Sequence, residues 1–423
     1  MGARAYVAQN DDGTSASRGN GKADRQSARD EDKRGTALER VKVTASFIAN
    51  AAQLARLTQQ IESADRVAID MEADSLHCYR EKLCLLQINV PAVAGIGDAG
   101  PDVETASSSR DQRSPLQRRD FIVDPLAGLD LEPLRAALEP REIVLHGADY
   151  DLRMLRRGLG FTAQKIFDTL IAARLLGIGE FGLAALLKRY FGLELPKGSQ
   201  KANWAKRPLP ARMAEYAIND VRYLLPLSEK LQAELDCHQR GDWLRQSCQR
   251  AIEQASMSRV RNEDELWRIP GSGSLRGRAA AVLRALWQWR DREAQRADRP
   301  PFHVLRNEHL LEAATTLASG GLPDYKHFSP RRRQAFREAA RGGLDEPESN
   351  WPVLRLRRGD RPSPDTLKRI DELRRRRDKA AEQLGLEPSF IAPRSALEAV
   401  AANSARAASL LVAWQRELVG LSA

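Results

Sequence analysis

Two acids, Asp70 and Glu72, stand two residues apart in RVAIDMEADS, where Val67 and Ile69 alternate as in a strand. Residues i and i+2 of a strand leave the same face, so the two carboxylates point the same way. Paired acids on an otherwise apolar strand repel each other, and a cation or solvent has to offset that repulsion. A third acid, Asp151, follows the apolar run EIVLHGA and stands at the start of a helix, where sheet edges commonly present functional groups. A fourth, Asp220, lies four residues after Tyr216 in EYAINDVRYLLPL, so a phenol and a carboxylate share one helix face. Each has an ordinary explanation when taken singly: a surface strand, a first-turn acid, a surface acid beside a half-buried ring. Gathered at one patch, four carboxylates suit two hard divalent cations such as Mg²⁺ or Mn²⁺. Two such ions about 3.5–4 Å apart stabilise the attacking and the departing oxygen of a phosphodiester.

The elements that must carry these residues can be read along the chain. Residues 1–43 are polar and rich in Gly, Ser, Asp and Arg, and are expected to be disordered. Order begins near TASFIANAAQLARLTQQI, where Leu54, Leu57 and Ile61 set a helical period after Asn50 as N-cap. The strand bearing Asp70 and Glu72 comes next, with CLLQINV (84–90) as its hairpin partner. Residues 91–120, rich in Gly, Pro, Ser and charge, read as a flexible insertion before the strand FIVDPL (121–126). Then follow a helix at LEPLRAALE, a strand over 142–148, a helix through DLRMLRRGL, a short strand KIF, and a helix capped by Asp168 and Thr169. Hairpin strands followed by alternating strands and helices predict an α/β domain with a mixed sheet, spanning 44–240.

Beyond 240 the pattern becomes helical, with breaks at PGSGS (270–274) and in the Pro-rich stretch 352–364. WRDREAQRADRPPFHVL (289–305) resembles RRDKAAEQLGLEPSFIA (376–392), and a Leu/Ala-rich helix follows each. The repeat predicts two small helical domains of similar plan. Trp287 and Trp289 cannot both face one core at i, i+2, so one is expected to be exposed or at a domain contact.

Bulk properties narrow the class of molecule. The 423 residues exceed one ordinary domain, while mean hydropathy is −0.50 and 29% of residues are charged. No apolar run approaches the roughly 20 residues a bilayer span needs, and the N-terminus lacks a secretory apolar stretch. A cytoplasmic protein without a membrane partner is expected. The four cysteines, Cys78, Cys84, Cys237 and Cys248, form no C-x-x-C pair and read as reduced thiols. A net charge of +10 suits a polyanion partner, or else describes an Arg-rich solvated surface. Arg276, Arg278, Arg331–Arg333 and Arg374–Arg377 are candidates for contact with a phosphate backbone.

Order and spacing of these motifs over roughly 200 residues resemble the DEDD family of 3′-to-5′ exonucleases, its Tyr-containing subgroup, and ribonuclease D within it. The matching stretches are DMEADSLHCYREKLCLLQI, HGADYDL and YAINDVRYLLPL, with FDT at 167–169 and SQKANWAKRPL at 199–209. The later half, including ALWQWRDREAQRADRPPFHVLRNEHLLEAA, resembles the helical HRDC domain that helicases share with ribonuclease D. Two departures stand out: the long 91–120 insertion, and Ala202-Asn203 where the family often has a small polar and an acidic residue.

The resemblance implies a ribonuclease H-like exonuclease domain (44–240), a linker helix (241–270), an HRDC domain (271–345), a linker (346–362) and a second HRDC-like domain (363–423). It implies that Asp70, Glu72, Asp151 and Asp220 ligate two divalent cations, Mg or Mn, with no small-molecule cofactor, and that Tyr216 orients or activates the attacking water. Nucleoside 5′-monophosphates would leave the 3′ ends of RNA, tRNA precursors among them, and the enzyme would act as a monomer. Lys197, Gln200, Lys201 and Trp204 lie in a loop that would touch RNA, or else form a surface loop with one anchoring Trp. His146 and Asp168 are expected to be structural, Asp149 a loop acid, and Asp74 not a ligand. Two other readings remain: a DNA exonuclease on the same domain, and a non-catalytic RNA-binding scaffold.

Overall fold

The computed structural model describes residues 45–91, 119–196, 198, 200–257, 265–352 and 362–421. The tail 1–43, most of the 91–120 insertion, Lys197 and much of the 346–362 linker lie outside the described residues. Six strands form one mixed sheet: β1 (Ser46–Ile48), β2 (Arg66–Ala73), β3 (Leu83–Val90), β4 (Arg119–Val123), β5 (Glu142–Leu145) and β6 (Lys165–Asp168). Their order is β1-β4-β3-β2-β5-β6, and β3 alone runs antiparallel to both its neighbours. Every residue of β3 is buried, as a strand covered on both faces must be.

Helices α1 (Ala51–Glu62), α2 (Glu132–Leu138), α3 (Asp149–Leu159), α4 (Thr169–Leu175), α5 (Leu183–Phe191), α6 (Ala211–Arg222), α7 (Leu224–Cys237) and α8 (Gly241–Ser256) surround the sheet. Asn50 caps α1 by accepting from the Gln53 amide, and Leu54, Leu57 and Ile61 are buried as their period requires. The edge strand β1 went unpredicted; three residues are too few to establish an alternation. β5 ends at Leu145, three residues short of the expected 142–148, because Gly147 turns the chain with φ 78°. Arg119 and Asp120, counted into the insertion from their polarity, are residues of β4 paired with Val90 and Asn89.

The helical half comprises α9 (Gly277–Arg296), α10 (Pro301–Val304), α11 (Asn307–Ala318), α12 (Pro330–Leu344), α13 (Pro364–Leu384), α14 (Pro388–Ile391), α15 (Arg394–Ala402), α16 (Ala407–Leu410) and α17 (Ala413–Leu418). The repeat seen in sequence recurs in the order long helix, single Pro-led turn, shorter helix. It recurs in hydrogen bonds as well. Arg290 Nη1 donates to the Leu305 carbonyl at 3.1 Å, and Arg377 Nη1 to the Ala392 carbonyl at 3.2 Å. Trp289 is buried and Trp287 only half-buried, as the i, i+2 argument requires. Among the described residues no helix is long and apolar enough to cross a membrane, and all four cysteines are free.

Candidate active site

Asp70 and Glu72 leave β2 toward the face that α6 covers, where the β2–β3 register shifts between Glu72 and Ala73. Bulges of this kind re-aim side chains at sheet ends. From α6, Asp220 joins them: carboxylate oxygens of Asp70, Glu72 and Asp220 lie within 4.8 Å of one another. One helical turn earlier, the Tyr216 hydroxyl donates a hydrogen bond to Asp220. Asp151 enters from the first turn of α3 and is buried. It stands outside the tight trio yet within electrostatic reach of Asp70 and Glu72. The four acids expected to converge therefore do so as three plus one, and Asp151 heads the charges acting on Asp70.

Asp168 fixes where Asp151 begins its helix. Its carboxylate caps α4 through the Leu170 amide at 2.8 Å and also accepts from the Gly147 and Ala148 amides, both at 2.9 Å. The turn between β5 and α3 is thereby tied to β6, which makes the capping role assigned to Asp168 wider than expected. His146 is structural: the Thr169 hydroxyl donates to the Leu145 carbonyl at 3.0 Å, so His146 Nδ1 donates to Thr169 Oγ1 at 2.9 Å. Burial pushes its imidazole below the ordinary value. Asp74 is buried and accepts the Lys82 amide at 2.8 Å, and Asp149 pairs with Arg153 on the surface of α3.

The electrostatics of the site are those of crowded acids. Burial raises Asp70 well above the carboxylate range, with Asp151, Asp220 and Glu72 adding repulsion in that order. Glu72 is pushed to about 9 by burial and then by Asp220 and Asp151. Asp151 rises to about 7 through burial and the neighbouring Asp168. Asp220 rises to about 6 by burial, moderated by the Tyr216 hydrogen bond. No cationic side chain is among the groups acting on these acids. An all-carboxylate donor set, half-buried except for the buried Asp151 and with no cationic side chain to offset it, fits hard divalent ions. Burial first, then Asp220, also raises the Tyr216 phenol, keeping it a neutral hydrogen-bond donor.

The loop after α5 supports Tyr216 from the other side. The Gln200 side chain hydrogen-bonds the Tyr216 hydroxyl, and the Trp204 ring lies 6.0 Å from the Tyr216 ring. Trp204 is 1% exposed, which corrects the expectation that its indole faces RNA. An indole in that position fills the space behind Tyr216, where apolar burial outweighs exposure. Lys201 offers its backbone carbonyl to His77 Nε2 at 3.2 Å while its side chain is exposed. The loop is anchored by Arg207, which sequence reasoning missed. Both its Nε and Nη2 reach the Asp124 carboxylate at 2.6 Å, and it also donates to the Trp204 and Cys84 carbonyls, each at 2.8 Å. Nothing in the pattern around Arg207 distinguishes it from a surface arginine.

The arginine runs offered as phosphate contacts are largely engaged. Arg331 and Arg332 face the buried Glu293, Arg333 donates to the Lys326 and Phe328 carbonyls, and Arg374–Arg377 pair with Asp371, Glu372 and Asp378. For Arg374, Arg375 and Arg376, i, i+3 and i, i+4 spacing to acids on the same helix favours those pairs.

Comparison with known proteins adds to this geometry. The sequence profile of the 3′-5′ exonuclease family matches residues 46–236, and that of the HRDC domain matches residues 279–318. Ribonuclease D of Pseudomonas paraeruginosa is 31% identical over 322 residues, covering 72% of this chain and 83% of the relative. The chain belongs to the ribonuclease D family. Ribonuclease D of Sphingobium indicum is 31% identical over 274 residues, which span 64% of this chain and 63% of that relative. The Escherichia coli RNase D structure superposes with a TM-score of 0.62 at 22% identity, covering 89% of this chain and 99% of that one. That likeness is one of fold: a ribonuclease H-like exonuclease domain with a mixed sheet, followed by the family's helical half.

Proposed function

We propose that the protein is a divalent-metal-dependent 3′-to-5′ exoribonuclease that removes nucleoside 5′-monophosphates from the 3′ ends of structured RNA, tRNA precursors included. The observation that carries the reading is the convergence of the Asp70, Glu72 and Asp220 oxygens within 4.8 Å, with Tyr216 hydrogen-bonded to Asp220. Asp70, Glu72, Asp151 and Asp220 would hold two divalent ions, Mg or Mn, which when bound supply charge neutralisation and a more acidic water. Asp70, a member of the trio on which Asp151 acts more strongly than any other acid, is the one suited to serve both positions. Tyr216, a neutral phenol, orients the attacking water by hydrogen bonding and takes no proton from it. Gln200 supports the Tyr216 hydroxyl, and Lys201, exposed at the rim, is available to the RNA backbone.

Action as a monomer in the cytoplasm belongs to the same reading. The partition into an exonuclease domain (44–240), a linker helix (241–270), an HRDC domain (271–345), a linker (346–362) and a second HRDC-like domain (363–423) belongs to the same proposal. A separate apolar cluster over 267–340 supports the first HRDC boundary, with the difference that Trp267 and Ile269 pack into it, whereas 363–423 and α8 share the apolar cluster of the sheet domain.

The test is incubation of the purified protein with Mn²⁺ or Mg²⁺ and 3′-labelled RNA or DNA. Release of 5′-mononucleotides from RNA, lost in Asp151→Asn by more than about 100-fold in kcat, is expected. Release from DNA alone overturns the RNA assignment. Tight RNA binding without cleavage in either metal overturns catalysis, and full activity of Asp151→Asn contradicts the ligand set.

A further inference from the structure

Beneath α6, directly across the β2–β3 ladder from Asp70, lies Gln87. Directly opposed residues of an antiparallel pair share a face and stand about 4.5–5.5 Å apart at Cβ. Gln87 therefore neighbours the acid pair on the face that Asp220 and Tyr216 close from above. It is 0% exposed, and neither its Nε2 nor its Oε1 has a hydrogen-bond partner. A buried carboxamide with both ends unsatisfied is costly, and such a group calls for a reason.

Its neighbours on β3 exclude the simplest one. Glu72 faces Leu85, so an apolar side chain is tolerated on this face one rung nearer the bulge. One rung further along, Asn89 serves the structure. Its Nδ2 donates to Asp120 Oδ1 at 2.8 Å, and Asp120 Oδ2 accepts from Arg222 Nε of α6 at 2.6 Å. Asn89 thus fastens α6 to the sheet. Gln87 fastens nothing.

We propose that Gln87 is a positioning residue for Asp70, donating its Nε2–H to that carboxylate when a divalent cation occupies the acid cluster. The inference rests on the reading of the acids as cation ligands and goes beyond it by assigning a partner outside the ligand set. A ligating carboxylate uses one oxygen or lone pair on the ion, and a fixed donor on the rest sets its orientation and basicity. Loss of such outer partners in metal sites weakens metal binding about 10–100-fold. Without the ion the amide has no partner, and replacing it by an apolar side chain of similar length relieves an unsatisfied group.

Gln87→Leu, Gln87→Met and Asn89→Leu are compared with the wild type by thermal unfolding without metal and by calorimetric titration with Mn²⁺ alone. The two Gln87 variants are expected to unfold at the wild-type temperature or above it, while their Mn²⁺ Kd rises at least about tenfold. Asn89→Leu is expected to behave in the opposite way, with a lower Tm and an unchanged Kd. Wild-type Mn²⁺ affinity in both Gln87 variants overturns the proposal, as does a lowered metal-free Tm with unchanged affinity, which would make Gln87 structural. A wild-type protein that takes up no Mn²⁺ fails at the acids themselves, a result separable from failure at Gln87.

Discussion

The two helical repeats share an internal plan and differ in what surrounds it. Each has an arginine on its long helix that holds the carbonyl fifteen residues on, the buried Arg290 to Leu305 and the half-buried Arg377 to Ala392. Each ends that helix with a left-handed residue, Asp298 at φ 43° and Gly385 at φ 65°. Around this plan the first repeat closes its own core, where Trp289 meets Phe328 and Phe336 at 5.7 and 5.1 Å. The second repeat buries only Leu373, Ala380 and Ala381 on α13 and continues the apolar core of the sheet domain. Its Trp414 stacks on Trp243 of α8 at 4.9 Å and 13° and donates to Ser247 Oγ at 3.1 Å. The first repeat meets the sheet domain through a polar latch instead. Tyr79, in the loop between β2 and β3, gives its hydroxyl to Asp291 at 2.8 Å and its amide to Asp298 at 3.2 Å. Internal pins set the shape of a repeat, and outward-facing residues decide whether it is fused or latched.

That contrast can be broken by mutation. Trp414→Ala is expected to cost about 3–5 kcal/mol and to shift the main urea transition, sheet domain included, since it opens a cavity in a shared core. A separate early transition of the second repeat would show that it is not fused. Trp289→Ala removes a residue of the same size, but only the first repeat is expected to loosen, seen as amide-exchange protection lost over 277–344 and kept over β2–β6. Spread of that loss into the sheet would mean the latch couples the two cores. Tyr79→Phe is the mildest, removing one hydrogen bond worth about 0.5–1.5 kcal/mol, with the unfolding of the sheet domain unchanged. An effect as large as that of Trp414→Ala would refute the distinction.

Much of this was legible in the sequence because periodicity carries direction. D-x-E on a strand and Tyr216 with Asp220 on a helix fix which side chains share a face, and the repeat at 289–305 and 376–392 survives down to its hydrogen bonds. Depth was not legible. Trp204 read equally well as a surface aromatic or an anchor, and only packing against Tyr216 decides it. The separation of Asp151 from the trio depends on where Gly147 and Asp168 start α3, a matter of tertiary hydrogen bonds. Arg207 and Gln87 carry no local pattern, because one acts through Asp124 and the Cys84 carbonyl, far off in the chain, and the other is conspicuous only for lacking a partner.

The claim on which the rest depends is that these acids hold protons until a cation displaces them. With folded values raised to about 9 at Glu72, about 7 at Asp151 and about 6 at Asp220, the folded state binds more protons than the unfolded chain between pH 4.5 and 9. The contribution of these acids to metal-free stability is therefore expected to be full below the ordinary carboxylate range and to be lost as pH rises through that window. Divalent ions should restore it by taking the place of the protons. The direct measurement is Mn²⁺ titration calorimetry at pH 7 in buffers of different ionisation enthalpy. Release of more than about one proton per protein, reduced in Glu72→Gln, is the expected result. Binding with no proton release, or none to the wild type while the fold is intact, would contradict a shared acidic focus.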